Sequence, residues 1–177
     1  RFQIEHQIET AFSRTVNRPE ALATALAQAF AVFDSARPRP VHIELPINVM
    51  LADASHLPVP TNPIRLSRPA PAAAGVLRAA TLLNAAKSPV ILAGGGAVKA
   101  AADLQALSEA LDAPVVMTTN ARGILSPDHP LGVSLTPSMP ETRALVAASD
   151  VVLALGTEMG PTDYDFYEDG GFAVPGK

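Results

Sequence analysis

Lys87-Ser88-Pro89-Val90-Ile91-Leu92-Ala93-Gly94-Gly95-Gly96 decides the fold of this chain. It reads as a short buried strand that runs straight into three glycines and then a helix. Only residues without a side chain let a backbone turn so tightly while leaving its N–H groups free to face a phosphate. Asp150-Val151-Val152-Leu153-Ala154-Leu155-Gly156-Thr157 is a second apolar strand ending at a glycine. Pro114-Val115-Val116-Met117-Thr118-Thr119 lies between them as a third. Helical patterns separate the three, which predicts an α/β arrangement: a parallel sheet of the nucleotide-binding kind with helices on both faces.

Outward from the first strand, Val76, Ala80 and Leu83 mark a helix before it, and Ala100, Leu104, Leu107 and Leu111 mark one after it. The second helix has the length of a right-handed crossover to the Val115–Thr118 strand. Residues 119–139 read as a long connection, and a short helix is expected from near Pro140 to just before Ser149. A Gly- and Asp-rich tail follows the last strand.

Toward the N-terminus, prolines at 58, 60, 63, 69 and 71 make residues 55–71 an extended linker. Residues 1–54 before it then form part of one domain, and residues 72–177 most of another, truncated at its C-terminal end. Within the first part, residues 1–16 show no clear period and read as an irregular lead-in. A helix is expected from Asn17 or Arg18, with Pro19 in its first turn. Its apolar stripe is Leu22, Ala25, Leu26, Ala29, Phe30 and Phe33, and Arg37-Pro38-Arg39-Pro40 stops it. Val41, Ile43 and Leu45 then alternate with His42 and Glu44 as a strand. A helix–strand pair cannot bury its own faces, so this part is expected to need a sheet that is not in this chain.

Composition narrows the function. Of 177 residues, 48% are hydrophobic and 17% charged, which supplies a core and argues against disorder along most of the length. The net charge of −4 and the lack of any basic block give no support to nucleic-acid or anionic-membrane binding. No cysteine is present, so disulfides, thiolate metal sites and thiol nucleophiles are excluded. The four histidines, His6, His42, His56 and His129, lie far apart without ligand spacing. No apolar run is long enough to span a bilayer and no signal-peptide pattern is present, so a cytoplasmic protein is expected.

With these segments in hand, the chain resembles the thiamine-diphosphate-dependent enzymes of the acetolactate synthase and 2-oxo acid decarboxylase group. Arg37-Pro38-Arg39-Pro40-Val41-His42-Ile43-Glu44-Leu45-Pro46-Ile47-Asn48-Val49 is similar to that family's Arg-Pro-Gly-Pro-Val-x-Ile-x-x-Pro-x-Asp-Val, the close of its pyrimidine-binding domain. Arg39 replaces the usual glycine there, and Asn48 the usual aspartate. Ala86 to Gly96 resembles the opening of the central domain, and Ala121-Arg122-Gly123-Ile124-Leu125-Ser126-Pro127-Asp128-His129-Pro130-Leu131 resembles its Lys-Gly-x-Leu-Pro-x-Asp-His-Pro-Leu loop. Ser149-Asp150 to Gly156 resembles its Ala-Asp-apolar-Gly strand.

The resemblance implies a Rossmann-like central domain in a three-domain parent. That parent would hold thiamine diphosphate and Mg²⁺ in its other domains and decarboxylate a small 2-oxo acid. Such parents are dimers or tetramers with active sites between subunits. The family's catalytic glutamate context and its Gly-Asp-Gly metal motif are both absent here, so no catalytic and no metal residue carries over. The isolated chain is therefore expected to be inactive. The central domain of such enzymes can bind FAD, while some relatives bind ADP or nothing. The rivals are a nucleotide-dependent oxidoreductase and a non-catalytic scaffold.

Gly94, Gly95, Gly96, Thr118, Gly156 and Thr157 are the candidate cofactor-binding residues, because ligands of such sheets sit at the strand ends. A purely structural glycine turn is the competing reading. Lys99 occupies the third glycine's place in Gly-x-Gly-x-x-Gly, and Thr118-Thr119-Asn120 offers no carboxylate for a ribose, which disfavours NAD. His129 reads as a structural hydrogen-bonding residue, His42 as packing or interface, and Arg122 as either a phosphate contact or a surface arginine. Thr162 to Gly171 concentrates acids and aromatics without the spacing of a calcium loop. Within the resemblance, its Thr-Asp-Tyr-Asp run suggests a subgroup that takes basic 2-oxo acids.

Overall fold

The computed structural model describes residues 10–35, 37–59, 67, 69–160 and 163. The chain divides into two compact units, residues 1–71 and residues 72–177.

The first unit contains β1 (Phe12–Thr15), α1 (Glu20–Ser35), β2 (Val41–Glu44) and the single-turn α2 (Ile47–Met50). β1 corrects the expectation of an irregular lead-in. It pairs in parallel with β2, Phe12 opposite Val41 through Thr15 opposite Glu44. Four residues including Ser13 and Arg14 carry no hydrophobic alternation. The strand is specified instead by its partner: Thr15 Oγ1 donates to Glu44 Oε2 at 2.7 Å, and Ser13 Oγ lies 2.9 Å from His42 Nδ1. Part of the sheet that the helix–strand pair requires is therefore within the chain itself.

Val16, Ala25 and Val49 form the unit's small core, with Ala21, Leu22 and Ile43 packed against it. The expected stripe of α1 is only partly used, since Ala25 and Ala29 are buried while Leu26, Phe30 and Phe33 are exposed. Phe30 and Phe33 meet edge to face, ring centres 6.0 Å apart.

The second unit runs α3 (Ala73–Ala85), β3 (Pro89–Ala93), α4 (Ala101–Leu111), β4 (Val115–Met117), β5 (Gly132–Val133), α5 (Pro140–Ala147) and β6 (Val151–Leu155). Its four strands are all parallel, in the order β5-β4-β3-β6. Every residue of β3 is buried, as a central parallel strand covered on both faces must be. Alternation sends Ile91 and Ala93 to one face, where they join Val115, Met117 and Leu104 of α4. Val90 and Leu92 go to the other, against Val116 and Val146 of α5. Helices thus cover both faces. A 3-10 turn, Gly95–Ala100, intervenes between the glycines and α4.

The structure adds β5, hidden in the expected long connection. Two residues are too few to show a period, and they pair because Val115 N–H donates to Leu131 O at 2.8 Å. His129 stiffens the same connection. Leu131 N–H donates to its Nδ1 at 3.2 Å, which leaves Nε2–H to donate to Glu109 Oε1 of α4 at 3.1 Å. The structural reading of this histidine is the one its bonds support.

Asp150 ties the beginnings of β3 and β6 together. Its carboxylate accepts from Lys87 N–H at 2.6 Å and Ser88 N–H at 3.0 Å, and its own N–H donates to Ser88 O at 3.2 Å. The Lys87 and Ser88 amides hold this carboxyl below its ordinary value. Because the folded state depresses the pKa, the stabilisation is complete above the unfolded value and disappears as pH falls through the folded one. Asp150→Ala should lower the urea midpoint at neutral pH and shallow the loss of midpoint on acidification below about pH 4. Parallel acid profiles for the two proteins would contradict this role.

Candidate functional site

Parallel strands leave their ligand-facing loops at one edge, and here the six candidate residues do gather at the C-terminal ends of β3, β4 and β6. Gly94 N–H donates to Leu155 O at 2.8 Å and Gly96 N–H to Gly156 O at 3.0 Å. Thr118 N–H donates to Ala93 O at 2.9 Å, and Thr118 is buried. Thr157 Oγ1 accepts from Met159 N–H at 3.1 Å.

The two glycine segments cross at backbone contact. A Cβ on Gly94 would land on Gly156 O and Thr157 Cα, and one on Gly96 would lie 2.9 Å from Gly156 Cα. Gly156 has φ +60° and a Cβ there would land on Ala97 N. The expectation that the glycine run leaves its amides facing a phosphate is therefore corrected at two positions. Gly94 and Gly96 spend their donors on the end of β6, which sequence spacing cannot show. Gly95 is exposed beside Asn120, whose Cβ lies 3.0 Å from where a Gly95 Cβ would be. That neighbour comes from the pairing of two 3-10 turns, Gly95–Ala100 and Thr119–Ala121, and has no signature in the sequence.

The remaining candidates lie elsewhere. Arg122 is exposed and its guanidinium reaches Ser134 O at 3.4 Å. His42 belongs to the first unit and pairs with Ser13. Of the acidic run from Thr162 to Gly171, all but Asp163 falls outside the described residues. No helix among the described residues is long and apolar enough to cross a membrane.

A parallel sheet with helices on both faces and a closed glycine crossing at the strand ends is the architecture of a Rossmann-like α/β domain. The chain belongs to the thiamine-diphosphate-dependent enzyme family: residues 76–173 match the model described as "Thiamine pyrophosphate enzyme, central domain". A protein of Pseudomonas aeruginosa named a probable 2-ketoarginine decarboxylase is 42% identical over 155 residues, covering 88% of this chain and 28% of that protein. The large subunit of acetolactate synthase isozyme 1 from Escherichia coli is 32% identical, covering 80% of this chain and 25% of its own length. The crystal structure of benzoylformate decarboxylase from Polynucleobacter necessarius superposes with a TM-score of 0.70 at 25% identity, covering 85% of this chain and 29% of that one. The chain thus spans about a quarter of the length of these relatives.

The donor set of the described residues does not fit the Mg²⁺-diphosphate end of thiamine diphosphate. Among the described residues no group of three or more His, Asp or Glu side chains could hold a metal ion.

Gly156→Ala should destabilise the second unit by roughly 2–4 kcal/mol, since it adds a backbone clash to a left-handed conformation. Gly75→Ala is the control. It lies in the first turn of α3, where the nearest atom to a Cβ is Arg78 Nη2 at 3.8 Å. It should stabilise by about 0.5 kcal/mol through chain entropy. Urea denaturation of both variants measures the contrast, and equal midpoints would refute the crossing as a structural constraint.

Proposed function

We propose that this chain is the end of the pyrimidine-binding domain plus the central domain of a thiamine-diphosphate-dependent enzyme that decarboxylates a 2-oxo acid with a basic side chain. The observation that carries the substrate class is the 42% identity, across 88% of the chain, to a probable 2-ketoarginine decarboxylase. That exceeds its 32% identity to acetolactate synthase over a similar stretch. The acidic character of the segment after β6 agrees in sign with a cationic substrate.

In such a parent the cofactor would supply a nucleophilic carbon that adds to the 2-oxo carbonyl and a sink for the electron pair left when CO₂ departs, while the protein would supply position and electrostatics. The residues of this chain supply rigidity. The β3–β6 crossing and the Asp150 clamp hold the sheet of the second unit in register at both ends. For a nucleotide at the C-terminal edge, Gly95, Gly156 and Thr157 are the candidates left, since the Gly94, Gly96 and Thr118 amides are donated within the sheet and Thr118 is buried.

The test is CO₂ release by the full-length protein with thiamine diphosphate and Mg²⁺, comparing 5-guanidino-2-oxopentanoate with pyruvate. The expected outcome is a preference in kcat/KM for the guanidino acid of at least about 100-fold, the scale of about 3 kcal/mol that one desolvated charge contact supplies. Conversion of pyruvate to acetolactate as the faster reaction would overturn the proposal. Residues 1–177 alone should give no turnover with either acid.

A further inference from the structure

The second unit carries a cleft of about 370 Å³ at the opposite edge of the sheet, where the strands begin. Its floor is apolar, made by Pro89, Val90, Leu111, Pro114 and Leu145. Its polar lining is Lys87, Ser88, Asp112 and the buried Ser149. No residue of the glycine crossing lines it.

Two helices end in this cleft. α4 finishes at Leu111 and α5 at Ala147, and neither has a basic residue in its last turn. Each helix C-terminus therefore presents about half a negative charge with no basic residue in its last turn to offset it. Asp112 adds a full carboxylate. It is the left-handed cap of α4, with φ +48°, and its N–H is turned back onto Glu109 O and Ser108 O. Asp150 stands behind the rim with its carboxylate occupied by the Lys87 and Ser88 amides. Lys87 is the single basic residue of the lining. Among the described residues, neither the Lys87 ammonium nor the Asp112 carboxylate has an ion-pair partner.

An electronegative wall, an apolar floor and one free ammonium define a ligand by complement. We propose that this cleft is a binding site for a small organic cation that also carries a carboxylate, of the guanidino- or alkylammonium-carboxylate class. The cationic end lies toward Asp112 and the two helix ends, the methylene chain on Pro89, Leu111 and Leu145, and the carboxylate on Lys87. The cleft lies at the strand starts, at the edge of the sheet away from the glycine crossing. The site goes beyond the proposed decarboxylase activity and does not depend on it, because its ligand is read from the cleft.

The experiment is a titration of the ¹⁵N-labelled chain, residues 1–177, with L-arginine as probe, following the amide signals of Lys87, Ser88, Leu111, Asp112 and Ser149. Saturable shifts confined to these residues, weakened by added sodium chloride, are the expected result. Asp112→Asn keeps a residue that tolerates the left-handed conformation and removes only the charge; it should raise the dissociation constant about three- to fivefold. Lys87→Met keeps the backbone amide that Asp150 holds and should weaken arginine to a similar degree, about three- to fivefold.

Agmatine, which lacks the carboxylate, should bind more weakly than arginine, and hexanoate, which lacks the cation, should give no saturable shift. The proposal is overturned by an absence of localised shifts with arginine at tens of millimolar. Binding of hexanoate or agmatine as tight as that of arginine, or an unchanged affinity in Asp112→Asn, also overturns it. None of these results bears on the decarboxylation assay, so the two readings fail separately.

Discussion

Backbone-to-backbone contact between Gly94–Gly96 and Gly156 is the constraint on which the second unit depends. β3 and β6 are neighbours through five matched residue pairs, and just past the last of them the two chains cross with no room for a side chain. At the other end of the same two strands, Asp150 fixes the start of the pairing through the Lys87 and Ser88 amides. Register is thereby set at both ends. The alternation that sends Ile91 toward α4 and Leu92 toward α5 follows from that register, and a slip of one residue would invert it.

The central strands were legible from residues alone because each is a fully buried apolar run with glycine or proline at its ends, and burial on both faces leaves no ambiguity of pattern. The elements that escaped were those that owe their existence to a partner. β1 has Ser13 and Arg14 in its middle and becomes a strand through His42 and Glu44. β5 is two residues held by a bond from Val115. In the same way, the glycine run announced a tight turn but could not say where its donors go. An N–H that turns toward Gly156 O and one that faces a phosphate have the same sequence. What Lys87 and Asp112 share was equally hidden, since they come together only when two helices end on the same side of the sheet.

The two units bury their apolar residues very differently. The second keeps Ile91, Leu92, Val115, Val116 and Val146 fully enclosed. The first leaves Ile47, Met50 and Leu51 more than 60% exposed on one helical turn, around the single buried anchor Val49. At about 25 cal/mol per Å² of apolar surface, such a small core supplies little of its own stability. The second unit is the part whose order follows from its own sequence.

β6 is bonded to a neighbour on one side only among the described residues, with Val151 to Leu153 and Leu155 half-buried along it. Among the described residues its other side has no strand partner, and an unpaired strand edge in an apolar setting is the kind of margin that pairs with an added strand. A version of this chain intended for handling at high concentration would need that margin blunted by an inward-facing lysine or a proline at a non-bonded position.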